Sequence, residues 1–292
     1  GKMNLIQSAP KRLYSLDTLR GFDMFWIMGL GELILSIAKT KHTPFRNAIA
    51  YHFEHPYWNG FANLIYLYAG KRMQWVWFWL FLIGYWLLLK FTAAPGYPRG
   101  DLTEAGNFMS YIDRSVLPGR LSRGIHDTVG LVCTIPGIST VLLGIFTGRF
   151  LKNNPASPIA KARWMAIAGI ISILLAFIWK LDFPFNKNLW SSSFVLLTGG
   201  LSLLLLSAFY YIIDVRGYQR WTLFFRVIGM NSILIYISFR FIDWTYSTEG
   251  FFKWAGQLAG SPAGAYMMDI LNIALQWLFL YFLFRKKVFL RV

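Results

Sequence analysis

The stretch LWSSSFVLLTGGLSLLLLSAFYYII, residues 189–213, carries no charged side chain along its whole length. A helix needs about 20 predominantly apolar residues to cross a hydrocarbon core of about 30 Å. This segment is long enough, and residues 128–147 form a second uncharged stretch of the same kind. Further apolar segments occupy residues 19–38, 73–92, 164–180, 221–241 and 265–284. The 292-residue chain is 56% hydrophobic, 18% aromatic and only 14% charged, whereas a soluble domain carries about 25% charged residues. The fold expected is all-α, a polytopic transmembrane helix bundle with about 7–8 spans in this chain. The apolar stretch at residues 61–70 is anomalous, since at 1.5 Å per residue it reaches about 15 Å, half a bilayer.

Counting that stub as a crossing, the loops alternate. The N-terminus, Lys71-Arg72, residues 149–163 and 216–226, and the Arg285-Lys286-Lys287 tail hold most of the Lys and Arg. Only Asp17, Asp23 and Asp214 oppose them, so nearly all of the +16 net charge falls on one face. The positive-inside rule makes that face cytoplasmic, with both termini inside. The basic rim has a plain reading as topology and a sharper one as electrostatic focusing of a polyanionic cofactor. Nucleic-acid binding is disfavoured, because the charge is dispersed over short loops without a binding module. The single cysteine, Cys133, lies in an apolar block and excludes an intrachain disulfide. Gly1-Lys2 ahead of Met3 reads as an expression remnant, and the first apolar segment reads as a retained helix.

The chemistry-bearing segment is His52-Phe53-Glu54-His55-Pro56-Tyr57-Trp58-Asn59-Gly60-Phe61. It follows the first span, so the charge count puts it on the external face. Imidazole is the side chain best suited to take a proton near neutral pH. Within the first span, Asp23 and Glu32 are nine residues apart, on opposite helix faces, so they form no carboxylate pair. Glu32 suits a polar cavity shared with His55, or structural pairing. Arg226, followed by Gly229-Met230-Asn231-Ser232, offers a guanidinium for a phosphate or carboxylate. Its plain alternative is snorkelling, and Asn231 and Ser232 also fit interhelical hydrogen bonding. The loop Asn186-Lys187-Asn188-Leu189-Trp190-Ser191 pairs amides with an indole, as a sugar site does. It also fits a helix cap with an interfacial tryptophan. His126-Asp127 lacks a third ligand, so no metal site is expected. Neither a nucleotide-binding glycine loop nor a serine-nucleophile elbow occurs.

Five stretches occur in a telling order: residues 12–21 (RLYSLDTLRG), His55-x-x-Trp58-Asn59-Gly60, residues 186–191 (NKNLWS), Gly229-Met230-Asn231-Ser232-Ile233-Leu234-x-Tyr236, and Arg285-Lys286-Lys287-Val288-Phe289. As an ordered set they resemble the heparan-α-glucosaminide N-acetyltransferase family, transmembrane enzymes with bacterial relatives. The resemblance implies transfer of acetyl from cytoplasmic acetyl-CoA to the amine of a glucosamine-type or glycosaminoglycan-derived saccharide on the far side. It implies a bacterial inner-membrane protein in which His55 is the catalytic residue; on the periplasmic face given by the charge count, His55 would act as general base or brief acetyl carrier, and the residues themselves suggest Glu32 to tune it. Trp58, Asn59, Asn188, Trp190 and Ser191 would bind the sugar, and Arg226, Asn231 and Ser232 the acetyl-CoA, with no metal. Membrane lipids are the other partners, and a homodimer is one allowed assembly. The rival reading is an inner-membrane transporter of amino sugars, proton-coupled through Asp23 and Glu32, although no internal repeat supports it.

Two departures from the family stand out. The position matching a polar Asn near the outer end of its first helix is about Gly31, beside Glu32. The family also has further helices between Trp-Asn-Gly and the segment resembling Leu64-Ile65-Tyr66, where here Phe61 runs straight into Ala62. Residues 1–292 are therefore read as one transmembrane domain with a stretch missing near 61–62, and about ten spans in the complete protein.

Overall fold

The computed structural model describes residues 13–25, 28–29, 65, 68–116, 130–260 and 263–290. Every regular element among them is helical. Five helical stretches are long and apolar enough to cross a membrane: Lys71–Phe91, Thr134–Asn153, Pro158–Trp179, Ser192–Val215 and Ala263–Arg285. Each overlaps a span expected from hydropathy. The chain divides into two compact units, Glu54–Ser207 and Gly1–Phe53 with Ala208–Val292. The stub and the junction at 61–62 lie outside the described residues, apart from Ile65 and residues 68–70.

The helices are α1 Tyr14–Phe25, α2 Lys71–Phe91, α3 Phe108–Val116, α4 Thr134–Asn153, α5 Pro158–Trp179 and α6 Ser192–Phe209. They continue with α7 Leu223–Met230, α8 Ser232–Ser238, α9 Trp244–Ala259 and α10 Ala263–Arg285. A π-helical turn, Tyr210–Val215, prolongs α6.

In the unit Glu54–Ser207, local chemistry sets the helix ends. Ser157 caps α5 by accepting from the Ala160 N–H, and Pro158 takes the first helical position, where its missing donor costs nothing. Pro136 falls in the first turn of α4 for the same reason. The core is Phe78, Leu82, Ile138, Leu142, Ala176, Val195 and Leu196, with a second cluster around Tyr85, Met109, Phe183 and Leu189. Lipid is as apolar as leucine, so hydrophobicity alone does not hold such helices together. Close packing and interhelical hydrogen bonds do. The Ser139 hydroxyl donates to Phe78 O at 3.0 Å, Ser172 to Leu196 O at 2.8 Å, Ser192 to Leu82 O at 2.7 Å and Ser207 to Ala162 O at 2.7 Å. Gly169 and Gly200 let α5 and α6 touch: a Cβ on either would meet the other's carbonyl oxygen at 2.8 or 2.7 Å. Arg149, at the end of α4, donates to buried Gln74, at the start of α2. These two helices are therefore antiparallel.

In the other unit, α1 packs along α7 through two glycines. A Cβ on Gly21 would overlap the Phe225 carbonyl, and one on Gly229 the Asp17 carbonyl. The first N–H groups of α1, at Tyr14 and Ser15, donate to the Asp214 carboxylate at 3.2 and 3.1 Å. An anion there satisfies donors that the helix itself leaves unpaired.

The expected span at 221–241 is not one straight helix. It breaks at Asn231 and bends by 55° between α7 and α8. Asn231 leaves helical geometry (φ −125°, ψ 31°), while its side chain binds the chain's tail. The connection expected between 241 and 265 is also different. Most of it is α9, capped by Asp243 Oδ1, which accepts from Tyr246 N at 2.9 Å. Helix α9 runs antiparallel to α10: Gly256 meets Gly264, Thr248 bonds Asn272, and Trp244 packs on Phe279.

Candidate functional site

His55, Glu32, Trp58 and Asn59 lie outside the described residues. The loop after α5 and the segment around Arg226 are described in full.

The loop Lys180–Trp190 is built by its own hydrogen bonds. Asn186 Oδ1 accepts from Leu189 N at 3.1 Å, and Asn186 N donates to Ser191 Oγ at 3.0 Å. Ser191 Oγ donates in turn to Pro184 O at 2.9 Å, and Ser193 Oγ to Phe183 O at 2.6 Å. Ser191, Ser192 and Ser193 are all fully buried. The Ser191 hydroxyl thus both accepts and donates within the turn. Trp190 sits at φ +50°, a conformation bulky residues rarely adopt. Its indole N–H donates to Thr140 Oγ1 at 3.2 Å. Asn188 differs: it is 8% exposed, and its amide has no hydrogen-bond partner among the described residues. Of the three loop residues expected to meet a sugar, Asn188 alone keeps its donor and acceptor unspent.

Asp182 in the same loop is gripped from α2. Lys90 Nζ donates to its Oδ1 at 2.6 Å and Trp86 Nε1 to its Oδ2 at 2.7 Å. The hydrogen bond from Lys90, then that from Trp86, hold this carboxyl below its usual value.

Arg226 lies with its guanidinium 3.8 Å from the centre of the Tyr14 ring. Its Nε is buried without a partner, and no carboxylate pairs with the group among the described residues. A cation resting on an aromatic face, with donors unspent, is prepared for an anion. The Ser232 hydroxyl likewise has no partner among the described residues. Asn231 is fully buried and fully used: Nδ2 donates to Val288 O at 3.1 Å and Oδ1 accepts from Leu290 N at 3.2 Å. The structure brings Arg226, Asn231 and Ser232 onto adjoining turns but gives Asn231 the tail as its partner. Among the described residues no group of three His, Cys, Asp or Glu side chains could hold a metal ion.

One polar feature was missed in the sequence. A cleft of about 690 Å³ is lined by Arg240, Asp243, Asp269, Asn272 and Gln276, with Met28 and Gly29 from the segment after α1. The signal was Asp269-x-x-Asn272-x-x-x-Gln276, a three-then-four spacing that puts three polar residues on one face of the last span.

The chain matches no protein-family model. It is 30% identical over 248 residues to the human heparan-alpha-glucosaminide N-acetyltransferase, an alignment covering 73% of this chain and 37% of that protein. The mouse protein of the same name is 30% identical over 240 residues, 71% of this chain and 36% of its own length. The match therefore spans little more than a third of either relative. Similarity sustained over nearly three quarters of a polytopic helical chain makes this protein a distant relative of the heparan-alpha-glucosaminide N-acetyltransferases.

Proposed function

We propose that this chain is an inner-membrane acetyltransferase that moves acetyl from cytoplasmic acetyl-CoA to the amine of a glucosamine-type sugar on the periplasmic side. The observation that carries the reading is the 30% identity to two proteins named for that class of transfer, over more than 70% of this chain. The unpaired Arg226 Nε beside the Tyr14 ring supports an anionic co-substrate such as acetyl-CoA. In that reading Arg226 and Ser232 bind its phosphates, and Asn231 fixes the tail beside them.

His55 acts as the base. A sugar ammonium must lose a proton before it is a nucleophile, and imidazole accepts that proton near neutral pH. The freed amine attacks the thioester carbonyl, the N–C bond forms and the C–S bond breaks; of the two protons the ammonium gives up, one leaves on the CoA thiol and the other passes to solvent. Trp58, Asn59 and Asn188 contact the sugar, whereas Trp190 and Ser191 hold the loop that carries Asn188. Glu32 is an acidic group for the same proton transfer.

The test uses the full chain in detergent with acetyl-CoA and glucosamine, following release of the CoA thiol. Wild type should release thiol only when glucosamine is present, and His55→Ala should lose about 10²- to 10⁴-fold in kcat, the usual worth of a general base. Absence of acceptor-dependent release from wild type overturns the reading.

A further inference from the structure

A groove of about 430 Å³ opens between α2, α4, α5 and α6 in the unit Glu54–Ser207. Leu143, Phe146, Met165, Ala168 and Leu203 line its length, and Trp75, stacked on Phe146 at 4.1 Å, forms one wall. Asn154 and Ala156, in the link between α4 and α5, mark its mouth. Leu143 lies eleven residues before Asn154, about 16 Å along a helix, and half of a hydrocarbon core is about 15 Å. The groove therefore runs from the helix ends to the middle of a bilayer, the depth of one leaflet. On α5 it adjoins Ile167, Ile170 and Ile171, exposed apolar side chains of a span, so an acyl chain can enter it from the side.

The mouth is basic. Residues 128–181 contain no Asp or Glu, while the link and its adjoining turns carry Arg149, Lys152, Lys161 and Arg163. The last three meet no carboxylate among the described residues. Lys161 shares one face of α5 with Trp164, Met165 and Ala168, at spacings of three, four and seven residues. Its Nζ crosses the mouth to donate to Leu151 O, near the end of α4, at 2.7 Å. An ammonium has three donors, so two remain for an anion above the apolar lining. Asn154 Oδ1 accepts from Ala156 N at 2.8 Å, and its amide donors have no partner among the described residues. The Trp164 indole N–H has none there either. Snorkelling accounts for any one of these bases alone. It does not account for a groove one leaflet deep that begins beneath Lys161. Basic pockets between transmembrane helices suit lipid headgroups. A soluble anion has no use for the apolar lining, and a zwitterionic lipid gains little from three cations.

We propose that this groove holds an acyl chain of an anionic phospholipid from the leaflet on the basic face, with the lipid phosphate on Lys161 and the amide of Asn154. The proposal does not depend on the acetyltransferase reading.

Native mass spectrometry tests it on the full chain, delipidated in detergent and titrated with dioleoylphosphatidylglycerol or dioleoylphosphatidylcholine. Wild type should bind the first phosphatidylglycerol about tenfold more tightly than the first phosphatidylcholine. Lys161→Gln, which keeps a donor for Leu151 O, should lose about fivefold of that preference, the worth of one basic residue at an anionic membrane surface. Ala168→Trp, at an exposed position, fills the groove and should weaken both lipids severalfold. Lys286→Gln, which removes a base from the tail, should change neither. Unfolding midpoints show which variants fold, and Ala168→Trp keeps the test open if Lys161→Gln does not. Equal affinity of wild type for the two lipids overturns the proposal. So does an unchanged preference in folded Lys161→Gln, an unchanged affinity in folded Ala168→Trp, or an equal loss in Lys286→Gln. Displacement of phosphatidylglycerol by glycerol phosphate also overturns it, since the site would then be one for a soluble anion.

Discussion

Asn231 shows how much a single amide can organise. It breaks a transmembrane segment and clamps backbone 57 and 59 residues further along the chain. Asn231→Leu would leave the Val288 carbonyl and the Leu290 N–H without that partner, at about 1–3 kcal/mol for each group left unsatisfied. The expected result is a lower unfolding midpoint and earlier proteolysis of the tail, read by thermal scanning and by mass spectrometry of the fragments. Asp182 makes a pH-dependent contribution. Its carboxyl is held below the usual value of 3.8 by Lys90 and Trp86. A depressed carboxylate stabilises the fold at pH values above its unfolded value and loses that effect as pH falls through the folded one. The midpoint gap between wild type and Asp182→Asn should therefore be constant near neutrality and close under acid; a gap that widens as the pH drops would contradict the assignment. At this level the sequence was only partly readable. It picked out the loop of Asn188, Trp190 and Ser191, but not that Ser191 and Trp190 serve the turn while Asn188 keeps its amide unspent. Partners of that kind depend on atoms brought together by folding.

The spans were the readable part. Residues 73–92, 189–213 and 265–284 match helices to within three residues at each end, while Pro158–Trp179 starts six residues ahead of the expected 164–180; about twenty predominantly apolar residues have few alternatives in a bilayer. The break at Asn231 was hidden: residues 221–241, despite Arg226 and Arg240, are apolar enough to read as one span, and the bend accompanies contacts to a distant tail. Helix α9 was hidden for the converse reason, since Glu249 and Lys253 make it too polar to be read as a span. Helix contacts give sharp predictions. Gly229→Leu would drive a side chain into the Asp17 backbone and Gly200→Val would drive one into Gly169. Both should cost more than the 1–3 kcal/mol of ordinary overpacking, because the obstacle is backbone and cannot rotate away. Ser207→Ala, removing one interhelical bond, should cost only about 0.6 kcal/mol. Unfolding in a mixed-micelle denaturant series would rank the three, and an equal loss for all of them would refute the close-approach argument.

For the molecule as a whole, the charge distribution predicts which ends face the cytoplasm. In a Cys133→Ser background, Leu181→Cys, at a position 88% exposed, should react with a membrane-impermeant maleimide from outside the cell. Lys287→Cys should react only after permeabilisation, and the opposite pattern would invert the topology proposed for acetyl transfer. The sequence by itself determined that this is a helical membrane protein, and its ordered motifs pointed to an acetyltransferase kinship that the similarity to the human and mouse enzymes supports. Both follow from local properties: the hydropathy of contiguous residues, the charge of short loops and the order of short motifs. Only the tertiary structure decided that Asn231 serves the tail, that α9 returns along α10, and that Arg240, Asp243, Asp269, Asn272 and Gln276 share one cleft. The reason is physical. A hydrogen bond or a shared cavity is set by distances of about 3 Å between residues remote in sequence, and no periodicity along the chain encodes which of them will meet.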